Sequence, residues 1–317
     1  MEKLDFTLLT MGEGTPIAHS KNLLNVIKRY KPMVAPTDLA VIQGTKKSGR
    51  SRTSGGDLAC LSWFSTPTPS GIMQCTYFNE SLSPYFWAAP YARFPSVRPV
   101  LRPSESSKIV PYFEKTEKGI HVVEFGEYPQ TAADMKTRLK LEELFQSKLL
   151  NTTGRKYTFD AETEKEIAFR PVPYAEYEYK GQRYIRMEGH SRDENSRLST
   201  LERVHTGEPF WIRVEPIEWL VDETGTWVSK KALFSGIQFD NRAKFFARTG
   251  SAHLSKGKDD DYVFEKTFMK YYLDNYFANE IEGFGPHRRE RIRDITISKH
   301  SLRTQEILRR LGEQNIR

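Results

Sequence analysis

The sequence predicts a mixed α+β protein, rich in short strands and ordered loops, and three observations carry that prediction. YAEYEY (174–179) and QRYIRM (182–187) alternate on either side of Lys180-Gly181, a hairpin pattern. The stretch 131–151 places Leu139, Leu141, Leu144, Phe145, Leu149 and Leu150 among charged residues, as an amphipathic helix does. Between residues 57 and 104, prolines at 67, 69, 84, 90, 95, 99 and 103 forbid long helices.

Taken in order, SKNLLNVIKRY (20–30) reads as a short helix capped by Ser20. KPMVAPTDLAVIQG (31–44) reads as a strand broken by Pro32 and Pro36. TKKSGRSRTSGG (45–56) offers almost nothing to bury and reads as a mobile basic loop. The aromatic and proline-rich stretch up to 104 reads as short strands, and 105–119 as a connector. IHVVEFGEYPQ (120–130) reads as a strand that leaves through a Gly/Pro turn, with Gly126 permitting the turn. After the 131–151 helix come the 174–187 hairpin, a polar interval at 189–207, and a second strand pair around Asp222–Gly225. Two helices close the chain, VFEKTFMKYYLDNYFANEI (263–281) and SLRTQEILRRLGEQNIR (301–317).

Composition narrows the class. Hydrophobic residues are 38% of the chain and charged residues 28%, which excludes a wholly disordered, collagen-like or coiled-coil protein. A mean hydropathy of −0.61 and the absence of an 18-residue apolar run exclude a conventional membrane-spanning helix. The first residues, MEKLDFTLLTMGEG, do not read as a secretory signal, so the expected location is the cytoplasm. Cys60 and Cys75 are the only cysteines, too few for a disulfide framework or a zinc quartet.

EFGEYPQ (124–130), PIEWLV (216–221), VSKKALFSGIQFD (228–240) and FMKYYLDNYFANEI (268–281) resemble, in this order, a bacterial domain family of unknown function. That family is related to the formylglycine-generating-enzyme and C-type-lectin-like folds. The resemblance implies a C-type-lectin-like domain of short twisted strands, long structured loops and flanking helices. Family domains end in a Trp-rich stretch and a "GVRPxL" strand, whereas the similar SVRPVLRPS (96–104) here precedes the opening motif. This order suggests a circular permutation, or two partial copies laid end to end. The implied organisation is an N-terminal helix and basic loop (1–57), a Trp/Pro-rich segment like the family's C-terminal half (58–119), a segment like its N-terminal half (120–284), and a basic helical tail (285–317).

No catalytic constellation emerges. A formylglycine-generating-type oxidase needs paired thiols for copper, but Cys60 and Cys75 lie fifteen residues apart and outside the best-matching segments. Asp259-Asp260-Asp261 lacks the register of an EF-hand, and His190 with Asp193 lacks the companions of a zinc site. There is no phosphate-binding glycine loop. Trp211, Trp219 and Trp227, eight residues apart, read as packing residues; their alternative is stacking on sugars or bases. No metal or cofactor is expected.

Positive charge is what stands out. Lys46, Lys47, Arg50 and Arg52 form one cluster. Arg288, Arg289, Arg291, Arg293, Arg309 and Arg310 belong to a second, and residues 285–317 carry nine basic against four acidic side chains. Arginine forks suit phosphate or carboxylate. The expectation is therefore a non-enzymatic binding protein of bacterial, phage or mobile-element origin. Its partner would be a nucleic acid or a nucleoprotein complex such as a host-defence effector, or an acidic protein surface, and not a membrane. The competing readings are a formylglycine-generating-type oxidoreductase and a carbohydrate- or peptide-binding lectin-like module.

Overall fold

The computed structural model describes residues 4–9, 23, 25–27, 29–30, 34–45, 60, 62–67, 73–76, 86–88, 92–102, 109, 111–160, 171–191, 196–239, 264 and 267–282. The chain divides into two compact units, Met1–Glu280 and Ile281–Arg317. Of the second, only residues 281 and 282 are described.

The first unit is predominantly antiparallel sheet with few helices. Twelve strands are described: β1 (Asp5–Thr7), β2 (Ser62–Pro67), β3 (Met73–Thr76), β4 (Phe86–Ala88), β5 (Val100–Arg102), β6 (Phe113–Glu117), β7 (Ile120–Ala132), β8 (Asn151–Asp160), β9 (Pro171–Tyr179), β10 (Gln182–Glu188), β11 (Pro209–Val221) and β12 (Trp227–Ser229). β2, β3 and β4 form a small sheet, and the other nine form a large one. Every ladder between these strands is antiparallel.

β11 is the axis of the large sheet. One of its edges pairs with β7 along most of its length. Its other edge is shared: β10 takes Pro209–Arg213 and β12 takes Trp219–Val221. Two arms follow, β10-β9-β8 and β12-β5-β1. The first arm curls. β8 does not pair with β7, yet Tyr157 on β8 meets Tyr128 on β7 edge to face at 5.5 Å. Right-handed twist accumulated over several strands produces such curling.

Both anticipated hairpins form. Lys180 and Gly181 take φ of 51° and 74°, the left-handed pair that a two-residue turn between twisted strands requires. At the β11–β12 turn, Asp222 Oδ1 accepts from the Thr224 and Thr226 amides and the Thr224 hydroxyl, and Gly225 takes φ 76°.

Three local expectations need correction. Residues 31–44 contain a helix, α1 (Asp38–Ile42), because Thr37 caps it by accepting the Ala40 amide at 3.1 Å. Its neighbour Asp38 anchors it, accepting the Ala132 amide and both the amide and the hydroxyl of Ser199. The 105–119 connector holds β6, which hairpins onto β7 through Lys118-Gly119. The expected 131–151 helix shortens to α2 (Met135–Gln146), which leaves Leu149 outside it at 68% exposure, and Leu139 of its apolar stripe is 64% exposed. Its docked face is Leu141, packed with Ala133, Tyr184 and Trp211.

Arg186 grips Glu142 of α2 with Nε and Nη2 at 3.0 Å each, and Trp211 Nε1 donates to the same carboxylate at 3.0 Å. Burial alone would raise the Glu142 pKa, but these bonds and one from Gln146 lower it to about 2. A carboxylate held low in the folded state stabilises above its ordinary pKa and loses that contribution as pH falls towards 2.

The aromatic core lies where the curled sheet meets a helical segment that runs through α3 (Phe268–Tyr272), a π-helical turn (Leu273–Phe277) and α4 (Ala278–Glu282). Phe277 sits 5.0 Å from Phe6 and 5.2 Å from Tyr128, and Phe234 sits 5.5 Å from Tyr272. Trp211 and Trp219 are fully buried and Trp227 nearly so, which agrees with their reading as packing residues. Among the described residues no helix is long and apolar enough to cross a membrane.

Candidate functional site

The EFGEYPQ segment does not turn. β7 runs straight through it and carries two bulges, one on each side of Pro216, opposite β11. Between Glu124↔Glu218 and Glu127↔Pro216, β7 spends one residue more than β11, and there Gly126 takes φ 70°. Between Pro129↔Val214 and Thr131↔Arg213 the extra residue is Gln130.

The bulges solve a donor shortage. Pro129 has no N–H to offer β11 and Pro216 has none to offer β7, so the ladder is short of donors here. The Gln130 side chain takes over, its Nε2 donating to Glu215 O at 3.0 Å and to Pro216 O at 2.8 Å. Where regular pairing is lost, the surface opens into a cleft of about 340 Å³. Glu124, Gln130, Glu215, Glu218, Lys230 and Lys231 supply its polar lining, with Pro216 and Leu233 as apolar wall.

One side of the cleft is a closed charge cluster. Lys230 Nζ lies 2.9 Å from Glu218 and 3.1 Å from Glu117, and Lys115 Nζ lies 2.6 Å from Glu218. Tyr30 donates to Glu117 at 2.6 Å and offers its ring to Lys230 at 5.3 Å. Burial works against the Lys230 charge, but bonding to Tyr30, Glu218 and Glu117 holds its pKa well above the ordinary lysine value. Burial would likewise raise Glu218, yet Lys115 and Lys230 hold it below the usual carboxylate range. Two cations and two anions cancel. Lys230→Met leaves both carboxylates to share Lys115, and urea unfolding is expected to show a loss of about 2 kcal/mol.

A second cluster is buried where the first arm curls over β7. Glu176 accepts from the Thr153 hydroxyl at 2.7 Å and the Tyr157 hydroxyl at 2.8 Å. Arg155 and Arg183 flank it at 3.6 and 3.8 Å, and both also pair with Glu127. Burial would lower the Arg183 pKa, but the hydrogen bond to Glu127 and the charges of Glu127 and Glu176 keep it above its ordinary value. The four side chains are neutral together: Arg183 donates to Glu127, Glu176 accepts from Thr153 and Tyr157, and Arg155 Nη2 donates to the Glu280 carbonyl at 2.6 Å. These charge pairs tie the curled arm to β7.

Cys60 is a buried thiol 3.1 Å from Ser96 Oγ and 3.5 Å from the Val34 carbonyl. The backbone of Cys75 pairs with Trp63, while its side chain lies outside the described residues. His190 is described, and Asp193 and Asp259–Asp261 are not. Among the described residues, no three His, Cys, Asp or Glu side chains gather as a metal ion would require.

The basic residues singled out from the sequence, Lys46, Lys47, Arg50, Arg52, Arg288, Arg289, Arg291, Arg293, Arg309 and Arg310, all lie outside the described residues. The cleft, in turn, was not foreseen. Its signal was a glycine and a proline inside an otherwise clean strand pattern, which marks a bulge. Comparison with protein-family models, with curated proteins and with solved structures finds no match to this chain.

Proposed function

We propose that this chain is a non-enzymatic binding protein whose basic segments engage a nucleic acid, alone or within a nucleoprotein complex. The observation that carries the reading is where the charge lies. Of a net +7, residues 285–317 hold +5 and residues 45–56 hold +4, so the rest of the chain is net −2. Within that remainder, Arg138, Arg155, Arg183, Arg186, Lys115 and Lys230 are committed to carboxylates of the same body. A largely self-neutralised remainder together with two strongly cationic segments suits a polyanion. The C-type-lectin-like reading, permuted or duplicated, belongs to the same proposal. Its support is that β5, within the SVRPVLRPS segment, shares one sheet with β7, which carries EFGEYPQ. Such a scaffold hosts function without dictating it.

Fluorescence anisotropy with labelled DNA and RNA at several salt concentrations tests the nucleic-acid reading. Replacing Arg288, Arg289, Arg291 and Arg293 together by Gln is expected to weaken binding roughly tenfold or more at low salt. It should also flatten the dependence of log K on log salt by roughly 3. No binding at low salt, or affinity indifferent to salt, would remove the proposal.

A further inference from the structure

The cleft lined by β7, β11 and the segment after β12 is separate in sequence from the basic segments. Its charged lining falls into two groups. Glu218 and Lys230 are locked into the neutral cluster with Lys115 and Glu117, and Glu215 is engaged by Thr131 at 2.6 Å and approached by Arg213 at 3.7 Å. Glu124 and Lys231 line the same cleft, yet neither side chain has a hydrogen bond or ion pair with any described residue. Nor are they within 4.0 Å of each other, or they would form an ion pair themselves. The cleft therefore presents one unspent anion and one unspent cation, held apart.

A third group points the same way. Gln130 is only 8% exposed and lines the cleft. Its amide nitrogen is consumed by the carbonyls of Glu215 and Pro216, and its Oε1 accepts from no described residue. An amide oxygen with no donor among the described residues, still reached by solvent and lining the same cleft as a carboxylate, can accept from a donor-rich cation. An ammonium group satisfies both Glu124 and Gln130 Oε1, while an anionic group on the same molecule answers Lys231.

We propose that this cleft binds a small zwitterion of the α-amino-acid class, its ammonium towards Glu124 and Gln130 and its carboxylate towards Lys231. The volume of about 340 Å³ suits a free amino acid or a dipeptide, and Pro216 with Leu233 offers apolar surface to its side chain. A simple metal cation fits less well, since a lysine stands in the lining. A phosphate meets more carboxylate than free ammonium.

The test uses the full chain, titrated by NMR with alanine, leucine and dialanine. Butylamine and butyrate serve as probes carrying one charge each. Zwitterions are expected to bind with Kd in roughly the 0.1–5 mM range and the single-charge probes at least about tenfold more weakly. Preference for leucine or alanine over dialanine marks a free amino acid as the source, and the reverse marks a peptide end. Glu124→Gln and Lys231→Met should each cost about tenfold in affinity with thermal unfolding unchanged, because neither side chain holds the fold together. In the unsubstituted protein the shifted amides should cluster around Glu124, Gln130 and Lys231. Absence of binding up to about 20 mM, equal affinity for the single-charge probes, or shifts mapping elsewhere would each overturn the proposal.

Discussion

Glu176→Ala is expected to destabilise the protein by about 3–5 kcal/mol, the largest loss from any single charged side chain described here. Glu176 is fully buried, and its carboxylate accepts from Thr153 and Tyr157 while standing between Arg155 and Arg183. Truncation leaves two guanidinium groups facing Glu127 alone, a net positive charge with little water to screen it. It also strips two hydroxyls of their acceptor. Glu176→Gln keeps the shape and part of the bonding, so its loss should be smaller. The attribution to charge rests on a double-substitution cycle with Arg183→Met. Removing one cation along with the anion restores neutrality, so the pair should cost at least about 1 kcal/mol less than the sum of the singles. Strict additivity in urea unfolding would show that Glu176 acts through packing alone.

Glu280→Gln is expected to act in the opposite direction, and only within a pH window. Burial pushes the Glu280 carboxyl up to about 8, outweighing the bonds from Thr158 and the charge of Arg155 that would lower it. The unfolded chain releases that proton near pH 4.5, so between about 4.5 and 8 the folded state binds the extra proton. This group's contribution to stability is therefore greatest below 4.5, falls as pH rises towards 8, and does not recover above it. Glutamine can accept from the Thr158 amide as the protonated acid does, without the cost of taking up a proton. At pH 7 the substitution should gain roughly 2–3 kcal/mol, and at pH 4.5 close to nothing. An equal gain at both pH values would show that the carboxyl does not titrate as described.

Both predictions concern residues whose roles were invisible in the linear sequence. Glu176 lies there in the alternating strand YAEYEY, between Ala175 and Tyr177, with nothing to mark it as buried. It is buried because the arm β10-β9-β8 curls over β7, a consequence of twist summed over strands that lie far apart along the chain. Nothing in the 263–281 helix reading sets Glu280 apart, yet in the folded chain it is only 9% exposed. The strand EFGEYPQ was legible as a strand. That it continues past Gly126 and Pro129 became clear only when β11 supplied a partner across two bulges.

The sequence by itself determined what depends on neighbours a few residues away. Two turns with left-handed glycines, the core of α2, the α3 segment and the burial of Trp211, Trp219 and Trp227 all follow from periodicity, capping and turn chemistry. So does the concentration of arginine after residue 285. Tertiary structure alone decided which charges cancel and which stay unspent, because pairing depends on distances between strands that the chain order does not encode. It also decided where the cleft opens: two prolines deprive one ladder of donors, and a single glutamine side chain makes good the loss.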